Sequence, residues 1–149
     1  MGTRIDLVNS TPTTLRTNDD TADSDGNIWW VREIRGWGSK APDVRLVKRM
    51  ATDGSVITNA TYASRSITVA GIVVIASGSD WWEAMQMFEN ITDAVSADGK
   101  VIVYEPAGTR HALVRLRQQP QIGFVRGSPS TLSWSVTYIA ANPDLQAGI

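Results

Sequence analysis

Cysteine is absent from this sequence, and histidine occurs once, as His111. The first absence excludes disulfides, thiolate metal sites and cysteine nucleophiles. The second leaves no histidine pair for zinc and a poor supply of general bases. Long hydrophobic runs are missing as well. The longest, Ile67 to Ala76, is interrupted by Thr68 and Gly71 and is too short to span a bilayer. Met1-Gly2-Thr3-Arg4 leads into no apolar signal core, and Asp6 stands where a myristoylation signal carries Ser or Thr. Neither sign of charge dominates. Lys and Arg number 14 against 15 Asp and Glu, and the net charge of -1 gives no general attraction to nucleic acid or membrane. The expectation is a chain with no membrane partner that folds and works in the cytosol or is released from it.

Signatures of chemistry are equally scarce. "VVIASGSDWWEAM" (73–85) reads as strand, loop and helix start, an arrangement that can hold a phosphate. Its loop has one glycine and no lysine, and Asp80 puts a carboxylate where the anion would sit. That carboxylate complements the helix dipole, so the stretch reads as a capped helix start. The aspartate-rich "TNDDTADSDGN" (17–27) fits the middle of an EF-type calcium loop at Asp23, Asp25 and Gly26. Thr21 and Arg32 occupy its first and last ligand positions, so it reads as a solvated loop. No Gly-x-Ser-x-Gly elbow is present. His111 reads as a surface strand residue. No catalytic residue, cofactor or metal is expected, and the chain is not read as an enzyme.

What is present is a single domain's worth of core: 149 residues, 42% apolar and 19% charged. Strands are read at Arg4 to Val8, Thr13 to Arg16, Ile28 to Ile34, Val44 to Met50, Ser66 to Ala76, Lys100 to Tyr104, Arg110 to Arg117 and Leu132 to Ala141, with a short one at Ile122 to Arg126. Ser66 to Ala76 carries apolar residues on both faces, which predicts a central strand covered twice. One helix is expected, from Asp80 to about Ala97. Asp80 and Glu83 form a capping-box-like pair, and Trp81, Ala84, Met85, Phe88, Ile91 and Val95 form its apolar stripe. The sum is a mostly β protein: a β-sandwich or squashed barrel of about seven to eight strands with a single helix (about 80–97) packed against it. The organisation expected is an N-terminal arm or hairpin with the Asp-rich loop (1–27), a sandwich domain (28–144) and a short tail (145–149).

Six tryptophans against two phenylalanines favour interfaces as well as core. Trp82 lies about 100° from Trp81 on the helical wheel, off the apolar stripe and beside Gln86, Glu89 and Asp93. Charge is segregated too. From Ser77 to Gly99 there are five acids (Asp80, Glu83, Glu89, Asp93, Asp98) and no base, whereas Lys100 to Gly127 carries five bases and one acid, Glu105. Such halves suit a head-to-tail ring, in which one subunit's acidic helix meets its neighbour's basic strands. Trp82, Glu83, Glu89, Asp93, Arg115 and Arg117 are therefore the expected subunit-interface or lumen residues. A different use of the rings is a sugar-binding sandwich module with Trp29, Trp30 or Trp37 as stacking platform.

The order of signals resembles the N-terminal, ring-forming domain of distal tail proteins from long-tailed, non-contractile phages. The residues that carry the resemblance run from Asp25-Gly26 and the strand Ile28–Ile34 through Gly36-Trp37-Gly38 to Pro42-Asp43-Val44-Arg45. They continue with Asp53-Gly54, "YASRSITVAGIV" (62–73) with Arg65 and Gly71, the crossing helix, "KVIVYEP", "HALVRLR" and "VTYIAANPD" (136–144). The resemblance implies a structural virion protein, a β-sandwich with one helix assembled as a hexameric homo-oligomer at the distal end of the tail. That protein joins the tail tube to the baseplate or tail tip. Its implied partners are the tail tube protein, the tape-measure protein and a baseplate hub or tail-tip protein, with DNA passing through the lumen without specific binding. The implied location is the virion, after synthesis in the bacterial host cytoplasm. A tail tube subunit shares the same sandwich, helix and ring. Many members carry a galectin-like or carbohydrate-binding domain after a motif like "AANPD", where this sequence has Leu145 to Ile149.

Overall fold

The computed structural model describes residues 3–11, 13–18, 22–23, 26–38, 42–48, 55–62, 64–76, 80–127 and 130–149, with the backbone alone for 42–48 and 55–62. The elements begin β1 (Ile5–Val8), β2 (Thr14–Thr17), β3 (Ile28–Arg35), β4 (Pro42–Lys48), β5 (Ser55–Tyr62) and β6 (Arg65–Val74). Then come α1 (Trp81–Ile91), β7 (Gly99–Glu105), β8 (Gly108–Leu116), β9 (Gln121–Phe124), β10 (Thr131–Ala140) and β11 (Gln146–Ala147).

Nine strands form one antiparallel sheet in the order β2-β1-β7-β8-β10-β6-β3, with β11 added to β8 and β9 to β10. Strands β4 and β5 pair with each other as a separate hairpin. Only two residue pairs, Tyr138 with Leu116 and Ile139 with Arg115, join β8 to β10. The sheet therefore works as two leaves, β2-β1-β7-β8 and β10-β6-β3. Period-two alternation makes each leaf one-sided. In β10, Leu132, Trp134, Val136, Tyr138 and Ala140 are buried, while Ser133 is exposed between them. The inward residues of both leaves, including Leu7, Val101 and Val114 on one and Ile67, Val69 and Val136 on the other, belong to one core cluster. Burying each such side chain contributes about 1.5–3 kcal/mol.

The fold is thus mostly β with one helix, and the sheet is open: the squashed-barrel alternative does not apply. Edge strands β2 and β3 are not paired. One residue spans the gap between them. Asn18 donates its N–H to the Trp29 carbonyl at 3.1 Å, and its Oδ1 accepts the Val31 N–H at 2.8 Å. Its φ of 59 is a left-handed value that asparagine tolerates better than most residues.

Helix α1 closes one end of the sandwich. Phe88 stacks on Trp29 of β3, with centroids 5.7 Å apart, and meets Trp134 of β10 at 5.4 Å. The helix is shorter than its sequence pattern predicts, ending at Ile91 rather than near Ala97. Competing hydrogen bonds explain this. Thr92 turns its hydroxyl back onto the Phe88 carbonyl at 2.8 Å. The β1–β2 turn then takes the next groups, with Asn9 Nδ2 donating to Asn90 O at 3.0 Å and Ser10 N–H to Asp93 O at 3.0 Å. Beyond them, Ala94 O accepts from Leu116 N–H at 3.0 Å, which ties the segment to β8 instead of a further helical turn.

Two members of the expected apolar stripe therefore lie outside the core. Val95 follows the helix and is exposed, and Trp81 in the first turn is also exposed. Ala84, Phe88 and Ile91 are buried as the pattern requires, with Met85 half-buried. Eleven strands among the described residues exceed the expected seven or eight. The additions include β5, whose "SVITNATY" lacks a clear alternation, and β11, which is two residues long. Strand β6 is central, between β10 and β3, but its chain covers only one face: Ala70 and Ile72 are half-buried outward and Val74 is exposed.

Candidate functional site

The helix end of the sandwich carries an exposed aromatic cluster. Trp81 packs edge-on against Trp82 at 5.8 Å and against Phe124 of β9 at 5.1 Å. Trp82 and Phe124 are 54% and 53% exposed, so two large rings in contact with Trp81 face solvent. The first turn that presents them is fixed by Asp80, whose Oδ1 accepts the Trp82 N–H at 3.0 Å. The capped helix start read from the sequence is therefore observed, although residues 77–79 of the preceding loop lie outside the described residues. Behind Trp82 on the same helical azimuth follow Gln86 and Glu89, both exposed, and Asp93 is exposed beyond the helix end. Glu83 is exposed on the neighbouring azimuth. Among the described residues Glu83 and Glu89 form no ion pair, so the helix end is acidic and uncompensated.

The bases expected to meet a neighbouring subunit's acids make contacts within their own chain. Arg115 Nε donates to Asp98 Oδ1 at 2.7 Å and its Nη1 to the Val95 carbonyl at 2.9 Å. Arg117 Nη1 donates to the Ser66 hydroxyl at 3.0 Å. Arg115 is thus neutralised within its own chain, in an exposed pair of the kind that contributes at most about 1 kcal/mol. Asp93 holds Val95 N–H through Oδ1 at 3.4 Å. Within one chain, Trp82 and Glu89 share a face of α1, Asp93 lies beyond the helix end, and Arg115 and Arg117 lie at the end of β8.

The rings suggested for sugar stacking fare differently. Trp29 is 1% exposed, which removes it as a platform. Its indole N–H donates to Asp23 Oδ2 at 2.9 Å, and the same carboxylate accepts the Asn27 N–H at 2.9 Å. This is the structural use of one aspartate from the acidic loop. The remainder of that loop's acids, Asp19, Asp20 and Asp25, lies outside the described residues. Trp30 and Trp37 are half-buried, and Trp37 Nε1 donates to Glu105 Oε1 at 3.2 Å. His111 is half-buried on β8, with Nδ1 2.9 Å from the Gly148 carbonyl. Among the described residues, no group of three His, Cys, Asp or Glu is arranged to hold a metal ion, and no helix is long and apolar enough to cross a membrane.

Two polar constructions were not legible from sequence. At the end of the sandwich opposite α1, Arg65 is 7% exposed and clamps three main-chain carbonyls. Its Nη1 donates to Gly36 O and Gly38 O, both at 2.7 Å, and Nε and Nη2 donate to Pro143 O at 2.9 and 2.7 Å. Arg65 follows β5, and Gly36 and Gly38 precede β4, so the clamp holds both roots of the β4–β5 hairpin to the segment after β10. On the outer face of the first leaf, the buried Asp6 carboxylate accepts Arg4 Nε and Nη2 at 3.1 and 2.9 Å and the Tyr104 hydroxyl at 3.0 Å. Arg4 stacks over the Tyr104 ring, 4.3 Å from its centroid. Burial first, then the Asp6 charge, raise the Tyr104 pKa above its ordinary value.

No family model matches the chain, and no curated protein does. A solved structure with the same fold is that of the phage SPP1 Dit (gp 19.1) protein, described as a paradigm of the hub adsorption apparatus of phages infecting Gram-positive bacteria. The two agree with a TM-score of 0.61 at 18% sequence identity, over 80% of this chain and 47% of the Dit chain. The present chain therefore spans about half the length of that protein. At this identity the likeness concerns fold: the chain has the architecture of a phage distal tail protein.

Proposed function

We propose that this protein is a structural, non-enzymatic phage tail component, a distal tail ring subunit that joins the tail tube to the baseplate or tail tip. The observation that carries the reading is the fold shared with SPP1 Dit over 80% of the chain, from a sequence whose ordered motifs resemble the same family. The exposed Trp82 and Phe124 rings and the acidic face of α1 support it, because a ring-former needs contact surfaces rather than a catalytic cleft. In this reading the chain assembles as a hexamer. Its neighbours are the tail tube protein, the tape-measure protein and a hub or tail-tip protein, and DNA crosses its lumen without specific recognition. Residues 28–144 are the ring-forming unit, and the polypeptide resides in the virion.

Negative-stain electron microscopy of the purified chain tests the proposal. Closed rings that stop at one or two layers are expected. Long filaments contradict the distal position and assign the chain to the tail tube instead.

A further inference from the structure

Strands β4 and β5 form a two-stranded sheet of their own, and no other described element packs along them. Such a hairpin is only marginally stable in water until something covers it. Its register gives it one apolar face. Pro42, Val44 and Leu46 of β4 stand opposite Tyr62, Ala60 and Ile57 of β5, the last brought into line by the irregularity between Arg45 and Leu46. The reverse face is polar at its root, with Asp43 opposite Thr61 and Arg45 opposite Asn59, and apolar only at Val47 and Val56. The root itself is fixed, because Arg65 on its C-terminal side holds the Gly36 and Gly38 carbonyls that precede it.

A second uncovered apolar surface, the Trp81–Trp82–Phe124 cluster, lies at the other end of the same sandwich. Strand β6 measures the separation. It starts at Arg65, beside the hairpin root, whereas Phe124 is in register with Leu132 and through it with Val73, eight residues further on or about 27 Å. The hairpin strands, seven and eight residues long, reach about 23–27 Å from that root and do not lie along the sandwich. One chain therefore keeps its two apolar surfaces apart, and two copies in head-to-tail order bring them together. We infer that the apolar face of the β4–β5 hairpin of one copy covers the aromatic cluster at the α1 end of a second copy. Charge agrees with this occupant. The hairpin strands carry Arg45 and Lys48 against Asp43, while α1 offers Glu83 and Glu89 with no base between residues 77 and 99. Arg126, two residues past Phe124, still leaves the acids in excess there. Two different patches meeting in this way form a heterologous contact, which closes into a ring when its rotation permits. The contact rests on the ring reading above and gives that ring its two faces.

The absence of cysteine makes the contact directly testable in the full chain. Gln86→Cys puts a thiol on the exposed face of α1, one turn from Trp82. Mixed with Leu46→Cys chains under air oxidation, it should give a disulfide-linked dimer of the two variants. Ile57→Cys is an independent replacement for Leu46→Cys. Leu46→Glu should raise the concentration needed for assembly, read by light scattering, by about tenfold or more. Thermal unfolding of the sandwich should stay unchanged in that variant, since the hairpin packs along nothing else in its own chain. Assembly indifferent to Leu46→Glu, or no mixed disulfide from either pair while wild type assembles, overturns the contact and leaves the ring reading standing. So does a chain carrying both Leu46→Cys and Gln86→Cys that closes only on itself. A wild-type chain that stays monomeric throughout overturns the ring reading, and the contact with it.

Discussion

Arg65 shows what single residues do here. Its guanidinium gives four hydrogen bonds to the carbonyls of Gly36, Gly38 and Pro143, on two segments distant in sequence. Removing it strands three acceptors at once. Arg65→Met should lower folding stability by about 2–4 kcal/mol in chemical denaturation. Lys should recover only part, since an ammonium cannot reproduce the planar fork. Glycine matters in a different way at Gly71, where an added Cβ would lie 1.8 Å from the Trp30 carbonyl oxygen beside the irregular pairing at Val31 and Glu33. Gly71→Ala should therefore cost about 1–3 kcal/mol through forced displacement of β3. The sequence marks both residues as part of a familiar pattern but cannot say why they are there. The Arg65 partners are backbone atoms brought together by two loops, which no side-chain spacing encodes.

Tyrosine ionisation is a further residue-level consequence. Burial raises the Tyr138 hydroxyl far above its ordinary range, and burial with Asp6 raises Tyr104. The folded state thus keeps phenolic protons that the unfolded state releases, so stability falls as pH rises above about 10. Absorbance titration should show Tyr138 ionising only as the protein unfolds; reversible ionisation of all three tyrosines in folded protein would contradict the burial.

At the level of elements, α1 separates folding from assembly. Phe88 is fully buried between Trp29 and Trp134, so Phe88→Ala should cost about 3–5 kcal/mol. Trp82, on the same helix, is more than half exposed. Trp82→Ala should change thermal stability by less than about 0.5 kcal/mol while weakening assembly, a split that differential scanning calorimetry and light scattering together resolve. The helix start was readable because Asp80 sits directly before the apolar period. Its end was not, because the signals that stop it are Asn9 and Ser10, about eighty residues earlier. Most strands were legible from alternation or β-branched runs. The hairpin partner β5 was not, since its pairing with β4 rather than its own pattern defines it.

For the whole molecule, the mostly β architecture with a single helix follows from local patterns, but the choice between sandwich and barrel does not. That choice depends on whether β2 meets β3, and Asn18 bridges them without a ladder. The candidate surface was half legible. Trp82 and Glu89 could be placed on one face from helical spacing alone, whereas Asp93 lies past the point where the helix stops. Arg115 and Arg117, expected on the same interface, are held within their own chain by Asp98, the Val95 carbonyl and Ser66, contacts that no sequence spacing encodes.

The central claim is that this chain is built to contact copies of itself in a closed ring. Mass in solution by light scattering, across a concentration series, tests it most directly. A discrete plateau at six times 16.2 kDa is the predicted result. A mass fixed at one chain, or one that climbs without limit as concentration rises, would contradict it.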